Sequence, residues 1–412
     1  MSQRDEQWWK VVAEIVRETH SASGTDVARV VDRALGRVGM TSEVHLVDRA
    51  QRVLSPVGPA VGPASGIDGT LAGLAFQLVQ VVSAPHDEGE RVLWVPLVDG
   101  TERLGVLRMG LPPGADPADR ELQERCAVLG SLLGHIVATK FVYGDGLEQA
   151  RRSVPLTPAA ELLWQLLPPL TFASEELVIS ALLEPHERVG GDAFDYSVDP
   201  GAAFVAIFDA VGHDMRAGLT SAVALAAIRN ARRGGERDLG ELARRADEQV
   251  QQNGPGARFV SAVLAWIDTG CGQLTYLVAG HPPPLLLRAN TTLKTLENGP
   301  RVPLGVLGGA RVQAGEERLE PGDRLLLYTD GVTEARDEQG RAFGTRRLTE
   351  FAERSSAAGL PAPETVRRLS HAVYDYQGGQ FQDDATLMMV DWRPTAADHY
   401  PTGPGQTPPH PM

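Results

Sequence analysis

Acidic residues stand at the ends of apolar, strand-like runs in the second half of this 412-residue chain. They occur in Gly191-Asp192, Phe208-Asp209-Ala210, Thr329-Asp330-Gly331 and Asp383-Asp384-Ala385. A folded sheet can bring such ends together, and crowded carboxylates repel each other unless a cation neutralises them. Hard oxygen ligands of this kind suit Mg²⁺ or Mn²⁺. The pattern therefore requires sheets whose ends meet, and it predicts a divalent-metal site with a hydrolytic role.

The length and charge of the chain restrict its class. A chain of 412 residues is too long for one ordinary core, so two domains with connectors are expected. The formal net charge of −14 argues against a nucleic-acid partner and against an anionic membrane surface. The polar N-terminal sequence has no signal-peptide core, and no uncharged apolar stretch reaches the ~18 residues of a spanning helix. We expect a cytoplasmic protein that makes no membrane contact.

The two cysteines, Cys126 and Cys271, lack the spacing of metal ligands. We expect both to be small buried apolar residues rather than a disulfide.

Residues 6–142 combine helical and strand-like patterns. A helical stretch is predicted over Asp26–Val38, and two strands over Arg91–Leu97 and Arg103–Met109 are joined by a turn. A long helix is predicted to end at Lys140. This helix–sheet–helix order, with Val95-Pro96-Leu97-Val98 leading into Leu104-Gly105-Val106-Leu107, resembles a GAF domain. The resemblance implies a sensory or dimerisation domain that can bind a small-molecule or protein signal.

Residues 143–172 form a predicted connector that contains one helix. Thr157 can cap this helix, Pro158 suits its first position, and Pro168 ends it. Its wide leucine stripe has two interpretations. The helix packs on its own domain, or it lies between the domains and pairs with its copy in a homodimer.

Residues 175–393 are rich in strands and contain two pairs of helices. The predicted strands are Leu177–Leu183, Ala203–Phe208, Arg258–Ile267, Gln273–Ala279, Pro284–Arg288, Arg324–Tyr328 and Ala385–Asp391. The predicted helices are Ala217–Arg233, Leu239–Gln252, Thr345–Ala357 and Glu364–Tyr376. This grouping indicates a β-sandwich flanked by helices rather than an alternating βαβ sheet. The tail, residues 394–412, is rich in proline and glycine and is predicted to be disordered.

Five segments in this region resemble, in order, the signatures of a phosphatase family. They are Val189-Gly190-Gly191-Asp192, Asp209-Ala210-Val211-Gly212-His213, Ala279-Gly280-His281-Pro282, Tyr328-Thr329-Asp330-Gly331 and Asp383-Asp384-Ala385-Thr386. The family is that of the bacterial metal-dependent serine/threonine phosphatases of the type 2C (PPM) superfamily. The branch is the one named for stage II sporulation protein E and the stress-response regulators.

The resemblance implies a fold and a set of ligands. The implied fold is an α/β, four-layer α/β-β/α sandwich with two metal ions at one end, which follows an α/β GAF-like domain. Asp209 would bridge the two ions, and Asp192 would bind one of them together with the backbone carbonyl of Ala210. Asp330 and Asp383 would bind the other ion. The neighbouring Asp384 would orient these ligands.

This ligand set suits hydrolysis of a phosphate ester. Two Mn²⁺ or Mg²⁺ ions can share a water molecule and lower its pKa toward ~7. The resulting hydroxide can attack phosphorus in line with the departing serine or threonine oxygen. No covalent enzyme intermediate is then required.

Other polar residues near these motifs have alternative roles. We expect Asp195 to be a solvated charge at a strand end rather than a supporting group of the metal site, and Arg188 to be exposed. We expect His281 to form structural hydrogen bonds rather than to bind metal, and His213 to bind a loop rather than to donate a proton. Asp214 stands where the family usually has glycine, and it could alter metal affinity or the path of the loop.

The sequence thus predicts a cytoplasmic phosphoprotein phosphatase that its N-terminal domain regulates. The resemblance alone implies the substrate, a phosphoserine or phosphothreonine on an anti-sigma-factor antagonist. The alternative is a non-catalytic, phosphatase-like module that only binds a partner. The acidic charge disfavours a third possibility, a two-metal nuclease.

Overall fold

The computed structural model describes residues 3–58, 62–83, 91–184, 190–212, 214–252, 259–289, 291–306 and 312–393. Its contacts divide the chain into two compact units, Met1–Val154 and Pro155–Ala397. The predicted connector, residues 143–172, is therefore divided between the two units.

The first unit contains an antiparallel sheet, five α-helices and a short 3-10 helix, Phe141–Tyr143, among its described residues. The helices are α1 (Gln3–Thr19), α2 (Asp26–Gly36), α3 (Leu71–Leu78), α4 (Arg120–Lys140) and α5 (Gly146–Arg151). The strands are β1 (Thr41–Val47), β2 (Val53–Val57), β3 (Ser65–Gly66), β4 (Val82–Ser83), β5 (Val92–Asp99) and β6 (Glu102–Gly110). The strand order is β3-β2-β1-β6-β5-β4. This curled, six-stranded sheet is consistent with a GAF-like domain.

Helices cover both faces of this sheet. The two faces of β1 belong to two different hydrophobic cores of the unit. Val44 and Leu46 pack with α1, α2 and α4, whereas Val47 packs with α3 on the other face. By length and composition the segment Arg120–Tyr143 could cross a membrane. One of its faces is buried in the core of the unit, and a core helix meets the same criteria.

The second unit contains twelve strands and six helices among its described residues. The helices are α6 (Pro158–Leu166), α7 (Met215–Arg233), α8 (Leu239–Gln252), α9 (Asp330–Thr333), α10 (Gly344–Ala357) and α11 (Ala362–Tyr376). The strands are β7 (Thr171–Ala173), β8 (Leu177–Glu184), β9 (Asp192–Asp199), β10 (Ala202–Ala210), β11 (Val260–Asp268), β12 (Gln273–Ala279), β13 (Leu285–Arg288), β14 (Thr291–Thr295), β15 (Pro300–Arg301), β16 (Gly315–Arg318), β17 (Arg324–Tyr328) and β18 (Ala385–Trp392).

These strands form two six-stranded sheets. One has the order β15-β12-β11-β10-β9, with β16 paired to β12, and the other has the order β14-β13-β17-β18-β8-β7. Alternate residues of β10 point into different cores. Val205 and Ile207 lie in the core shared by the two sheets and by α10 and α11, whereas Phe204 and Phe208 pack with α7 and α8. The unit is therefore a four-layer sandwich of helices, two sheets and helices, as predicted.

Helix α6 packs on α7 within the second unit. Thr157 accepts a hydrogen bond from the backbone N–H of Ala160 and caps the helix, with Pro158 in the first turn. Leu163 is buried in the core that α7 forms with its sheet, whereas Leu162 is exposed. This packing favours the interpretation that the helix belongs to its own domain. Pairing with a second copy stays a prediction.

All seven strands and four helices that were predicted for residues 175–393 are present in the second unit, which also contains further elements. Gln273–Ala279, Arg324–Tyr328 and Leu239–Gln252 have the same bounds in both. The prediction missed one helix, α9, and five strands, β7, β9, β14, β15 and β16. The cysteine prediction was half wrong, because Cys126 is buried but Cys271 is exposed in the turn between β11 and β12.

Candidate functional site

Two aspartates lie side by side on β9 and β10, which are neighbouring strands in one sheet of the second unit. Asp209, near the end of β10, is the direct cross-strand partner of Asp192 at the start of β9. Directly opposite residues of an antiparallel pair point to the same face, about 5 Å apart at Cβ. Both carboxylates share the face of Ile207, which packs in the core between the sheets. They therefore lie on the inter-sheet face at one end of the sandwich.

The other sheet of the second unit, which contains β17 and β18, contributes acidic residues at the same end. Asp330 follows the end of β17, and Asp384 directly precedes β18, which is hydrogen-bonded to β17. Gly331 brings these two segments together, because a Cβ atom at Gly331 would lie 1.8 Å from the backbone oxygen of Asp384. Only glycine allows this approach of the two backbones.

Hydrogen bonds connect the two sheets at this end. The hydroxyls of Thr329 and Thr386 both donate to one carboxylate oxygen of Asp192, each at 2.7 Å. The carboxylate of Asp384 accepts the backbone N–H of Gly191, also at 2.7 Å. Asp384 thus orients the segment that carries Asp192, in agreement with its expected role.

The carboxylates repel each other strongly. Burial, with Asp209 and Asp384 close by, raises the pKa of Asp192 well above its usual value, and the two threonine hydroxyls oppose this rise. Burial and the charges of Asp330, Asp383 and Asp384 raise the pKa of Asp209 to about 7. Burial, Asp383 and Glu334 likewise raise the pKa of Asp330. These mutual effects place the predicted ligands in one cluster whose negative charge a cation would neutralise.

The same residues fit a hard divalent cation. Asp383 is exposed and its charge acts on both Asp209 and Asp330. The backbone oxygen of Ala210 lies beside Gly191, where a Cβ atom would approach it to 2.6 Å. The cluster therefore offers carboxylate and carbonyl oxygens, the ligands that Mg²⁺ and Mn²⁺ prefer. In the described part of the chain, however, no three His, Cys, Asp or Glu side chains meet the geometry of a ready-made metal site. The ligand set and the number of ions stay predictions.

The buried His281 connects β11 to the end of β17, next to the acidic residues. His281 Nε2 lies 3.1 Å from the backbone oxygen of Tyr328, and Nδ1 lies 2.7 Å from the hydroxyl of Ser261. Burial lowers the pKa of His281 to about 3, so the ring is neutral and carries one N–H. That N–H donates to the carbonyl, and the Ser261 hydroxyl donates to Nδ1. The Ser261 contact with Asp209, at 3.5 Å, is therefore weak. The structural role expected for His281 agrees with this geometry.

The prediction for Asp195 was wrong. Asp195 is three residues beyond Asp192 and points to the opposite face of β9, toward α7. Its carboxylate is buried and forms ion pairs of 2.6 Å with both Arg229 and Arg232. The charge is thus neutralised by a helix more than 30 residues away, a contact that no local pattern indicates.

Asp214 has a local role that its position in the sequence could have indicated. Its side chain accepts the backbone N–H of Ala217 at 3.0 Å and caps the N-terminus of α7. His213 and Arg188 lie outside the described residues. Sequence reasoning missed the roles of Thr329, Thr386 and Ser261, although all three stand next to or inside the apolar strands that end at the site.

Sequence comparisons relate the second unit to known proteins. A sequence model of the family described as Stage II sporulation protein E (SpoIIE) matches residues 199–393. That match includes Asp209, Asp330 and Asp383 and begins after Asp192. Among relatives, the chain is 27% identical over 248 residues to phosphoserine phosphatase RsbU of Bacillus subtilis, which covers 60% of the chain and 72% of RsbU. It is 30% identical over 146 residues to protein IcfG of Synechocystis, covering 35% of the chain but only 22% of IcfG.

Solved structures include similar domains. The RsbU and RsbW domains of a Mycobacterium tuberculosis protein match with a TM-score of 0.47 and 25% identity, over 53% of this chain and 60% of that one. The SiaA PP2C domain of Pseudomonas aeruginosa matches with a TM-score of 0.45 and 25% identity, over 52% of this chain and 85% of that one. From the family match and the RsbU relationship, residues 199–393 form a phosphatase-type domain that is homologous to SpoIIE and to RsbU.

Proposed function

We propose that this protein is a metal-dependent phosphoprotein phosphatase that hydrolyses phosphoserine or phosphothreonine on a regulatory protein. The observation that carries the proposal is the convergence of Asp192, Asp209 and Asp330, with Asp383 and Asp384, at one end of the sandwich. A cluster of carboxylates that raise one another's pKa is a frequent feature of functional sites.

The proposed ligands are Asp192, Asp209, the carbonyl of Ala210, Asp330 and Asp383. Two Mn²⁺ or Mg²⁺ ions, when bound there, would supply an activated water and offset the charge of the phosphoryl oxygens.

The chain's own residues hold these ligands in position. Thr329 and Thr386 fix one oxygen of Asp192 and leave the other available. Asp384 fixes the backbone of Gly191 immediately before Asp192. The neutral His281 ties β11 to the end of β17, so that Asp209 and Asp330 approach from two sheets that cannot separate freely. Such preorganisation keeps the cost of assembling the site low at the moment of reaction.

The chemistry can be tested with p-nitrophenyl phosphate in the presence and absence of Mn²⁺. Asp209→Asn and Asp330→Asn should each abolish turnover while the protein stays folded by circular dichroism. Asp199→Asn is a matched control, because Asp199 is an exposed aspartate at the other end of β9, roughly 23 Å from Asp192 for an extended strand. Rates of the Asp209→Asn and Asp330→Asn variants equal to that of the control would refute the assignment.

The substrate and the regulation are the finer parts of this proposal. RsbU is named a phosphoserine phosphatase, and the sequence resemblance implies an anti-sigma-factor antagonist as the substrate here. Dephosphorylation of a panel of phosphorylated antagonist proteins tests this choice. We also propose that a signal at the N-terminal unit sets the activity, with the protein acting as a cytoplasmic homodimer.

The regulation can be tested in the full chain. Insertion of four glycines between Ser153 and Val154 should uncouple the units and remove any response of activity to ligands of the first unit. Sedimentation analysis of the full chain without the insertion measures whether the protein is a dimer. A response that survives the insertion would exclude coupling through this connection.

A further inference from the structure

Exposed apolar side chains are concentrated at the acidic end of the sandwich. In the described part of the second unit, seven large apolar side chains are exposed, and six of them lie around this end. These six, here named the apolar rim, are Val211, Met215, Leu219, Phe259, Val302 and Val306. Single exposed apolar residues are ordinary on a protein surface, but a cluster of them marks an interaction site.

Backbone hydrogen bonds join the segments that carry four of the six rim residues. The N–H of Val211, two residues after Asp209, donates to the carbonyl of Phe259 at 3.2 Å. The next residue, Val260, exchanges hydrogen bonds of 3.0 and 2.8 Å with Leu304. Val302 and Val306 stand two residues before and after Leu304. These four rim residues therefore lie on neighbouring segments that continue directly from the site.

The first two turns of α7 supply the other two rim residues. Met215 and Leu219 are four residues apart and share one helix face. Between them, Gly218 lies so close to Gly190 that a Cβ atom would be 3.0 Å from the oxygen of that residue. The hydroxyl of Ser221 also bonds to the carbonyl of Gly191. The start of α7 is thus fixed against the segment that carries Asp192.

Electrostatics limits how a protein substrate can be held here. The chain carries a formal net charge of −14, and a phosphorylated side chain brings a further charge of about −1.5 to −2. The long-range interaction between this acidic chain and the phosphorylated side chain is therefore repulsive, and binding of the rest of the substrate needs a contribution that does not depend on charge. Burial of apolar surface is non-directional and does not depend on charge.

We propose that the apolar rim binds apolar side chains that flank the phosphorylated residue of the protein substrate. This inference rests on the proposed phosphatase activity and adds the substrate's chemistry. The preferred substrate is a phosphoserine or phosphothreonine with apolar neighbours, and a phosphate ester without neighbours gains nothing from the rim.

The test uses two synthetic phosphoserine peptides of equal length and charge. One has leucine and isoleucine on both sides of the phosphoserine, and the other has serine and glycine there. Both are compared with p-nitrophenyl phosphate on the full chain, as wild type and as Leu219→Gln and Val306→Thr. Leu74→Gln is the matched control, because Leu74 lies on a helix of the other unit and is 39% exposed, against 38% for Leu219.

The wild type should prefer the apolar peptide by about tenfold or more in kcat/KM, as expected for losing one buried leucine-sized contact. The two rim variants should lose most of this preference through KM, with p-nitrophenyl phosphate turnover unchanged. Leu74→Gln should keep it. Equal rates of the wild type on both peptides, or equal losses in Leu219→Gln and Leu74→Gln, would overturn the proposal.

A measurement of peptide binding tests the apolar rim independently of the proposed phosphatase activity. Fluorescence anisotropy of the labelled peptides is measured on the Asp209→Asn variant, where turnover plays no part. A binding preference for the apolar peptide that Leu219→Gln removes supports the rim even if no substrate is hydrolysed, in which case only the proposed activity fails. Equal affinity for both peptides overturns the rim whether or not the protein hydrolyses p-nitrophenyl phosphate.

Discussion

Removal of the Asp195 carboxylate should destabilise the second unit by about 3 kcal/mol, the lower end of the range for breaking a buried ion pair. The side chain of Asp195 is 1% exposed, and its partners Arg232 and Arg229 are 7% and 18% exposed. In Asp195→Ala, Arg229 keeps its hydrogen bond to the carbonyl of Leu166. Arg232 keeps only its position over the ring of Phe204, at 4.5 Å.

The lower end of the range applies because one of the two cations retains a partner and some contact with water. Burial lowers the pKa of Arg232 and Asp195 opposes this effect, so the cation becomes more costly when the carboxylate is removed. For a unit of this size, a loss of about 3 kcal/mol corresponds to a decrease in Tm of roughly 6–12 °C.

The assay is thermal unfolding of the full chain by circular dichroism, with hydrogen exchange of α7 amides to assign the transition to the second unit. Asp195→Ala should lower the Tm and speed exchange in α7. Asp199→Ala, on the exposed end of the same strand, should change stability by no more than about 0.5 kcal/mol. Equal effects of the two substitutions would mean that Asp195 is not a buried ion-pair partner, and the reasoning from strand alternation would be refuted.

Three further predictions concern the site. Gly331→Ala should lower p-nitrophenyl phosphate turnover by about 100-fold, because its Cβ atom would lie 1.8 Å from the backbone oxygen of Asp384 and displace a ligand segment; near-normal kcat would contradict this close approach. Thr386→Val removes one of two hydroxyl donors to Asp192 and should weaken Mn²⁺ affinity about tenfold in calorimetry, whereas unchanged affinity would argue against this support. In chelator-treated protein, folding raises the pKa of Asp209 to about 7, so the proton on Asp209 stabilises the folded state. This stabilisation is complete below about pH 4 and is lost as the pH rises through 7. Urea unfolding should therefore give lower stability at pH 8 than at pH 5, with a smaller difference in Asp209→Asn; identical pH profiles would refute this assignment.

The architecture of the second unit could be predicted because its local signals are strong. Apolar strands such as Arg324–Tyr328 are bounded by turn residues, and helices such as Leu239–Gln252 have a clear helical period. The longest of the missed strands, β9, lacks that signal, because its sequence includes Asp192, Asp195 and Asp199. Charges are rare within strands unless tertiary partners neutralise them, and those partners lie elsewhere in the chain.

The site was predictable only in part for the same reason. The aspartates could be identified from motifs, because each stands close to the end of an apolar strand, and Asp192 and Asp330 stand beside glycine. The hydroxyl donors to Asp192 could not, since Thr329 and Thr386 are 137 and 194 residues away from it. A threonine in an apolar strand usually indicates β propensity, and only the meeting of two sheets turns its hydroxyl toward a carboxylate.

Helix α7 connects these separate observations. Its last turns neutralise Asp195, its beginning packs against Gly190 and Gly191, and the same first turns carry Met215 and Leu219 of the apolar rim. Asp195 and Asp192 are three residues apart on one strand, about 10 Å in an extended chain. A shift of α7 relative to β9 would therefore disturb the ion pair, the ligand segment and the rim together. The buried charge of Asp195 is thus best understood as fixing the register between helix and strand, on which both the proposed ligand positions and the proposed substrate contacts depend.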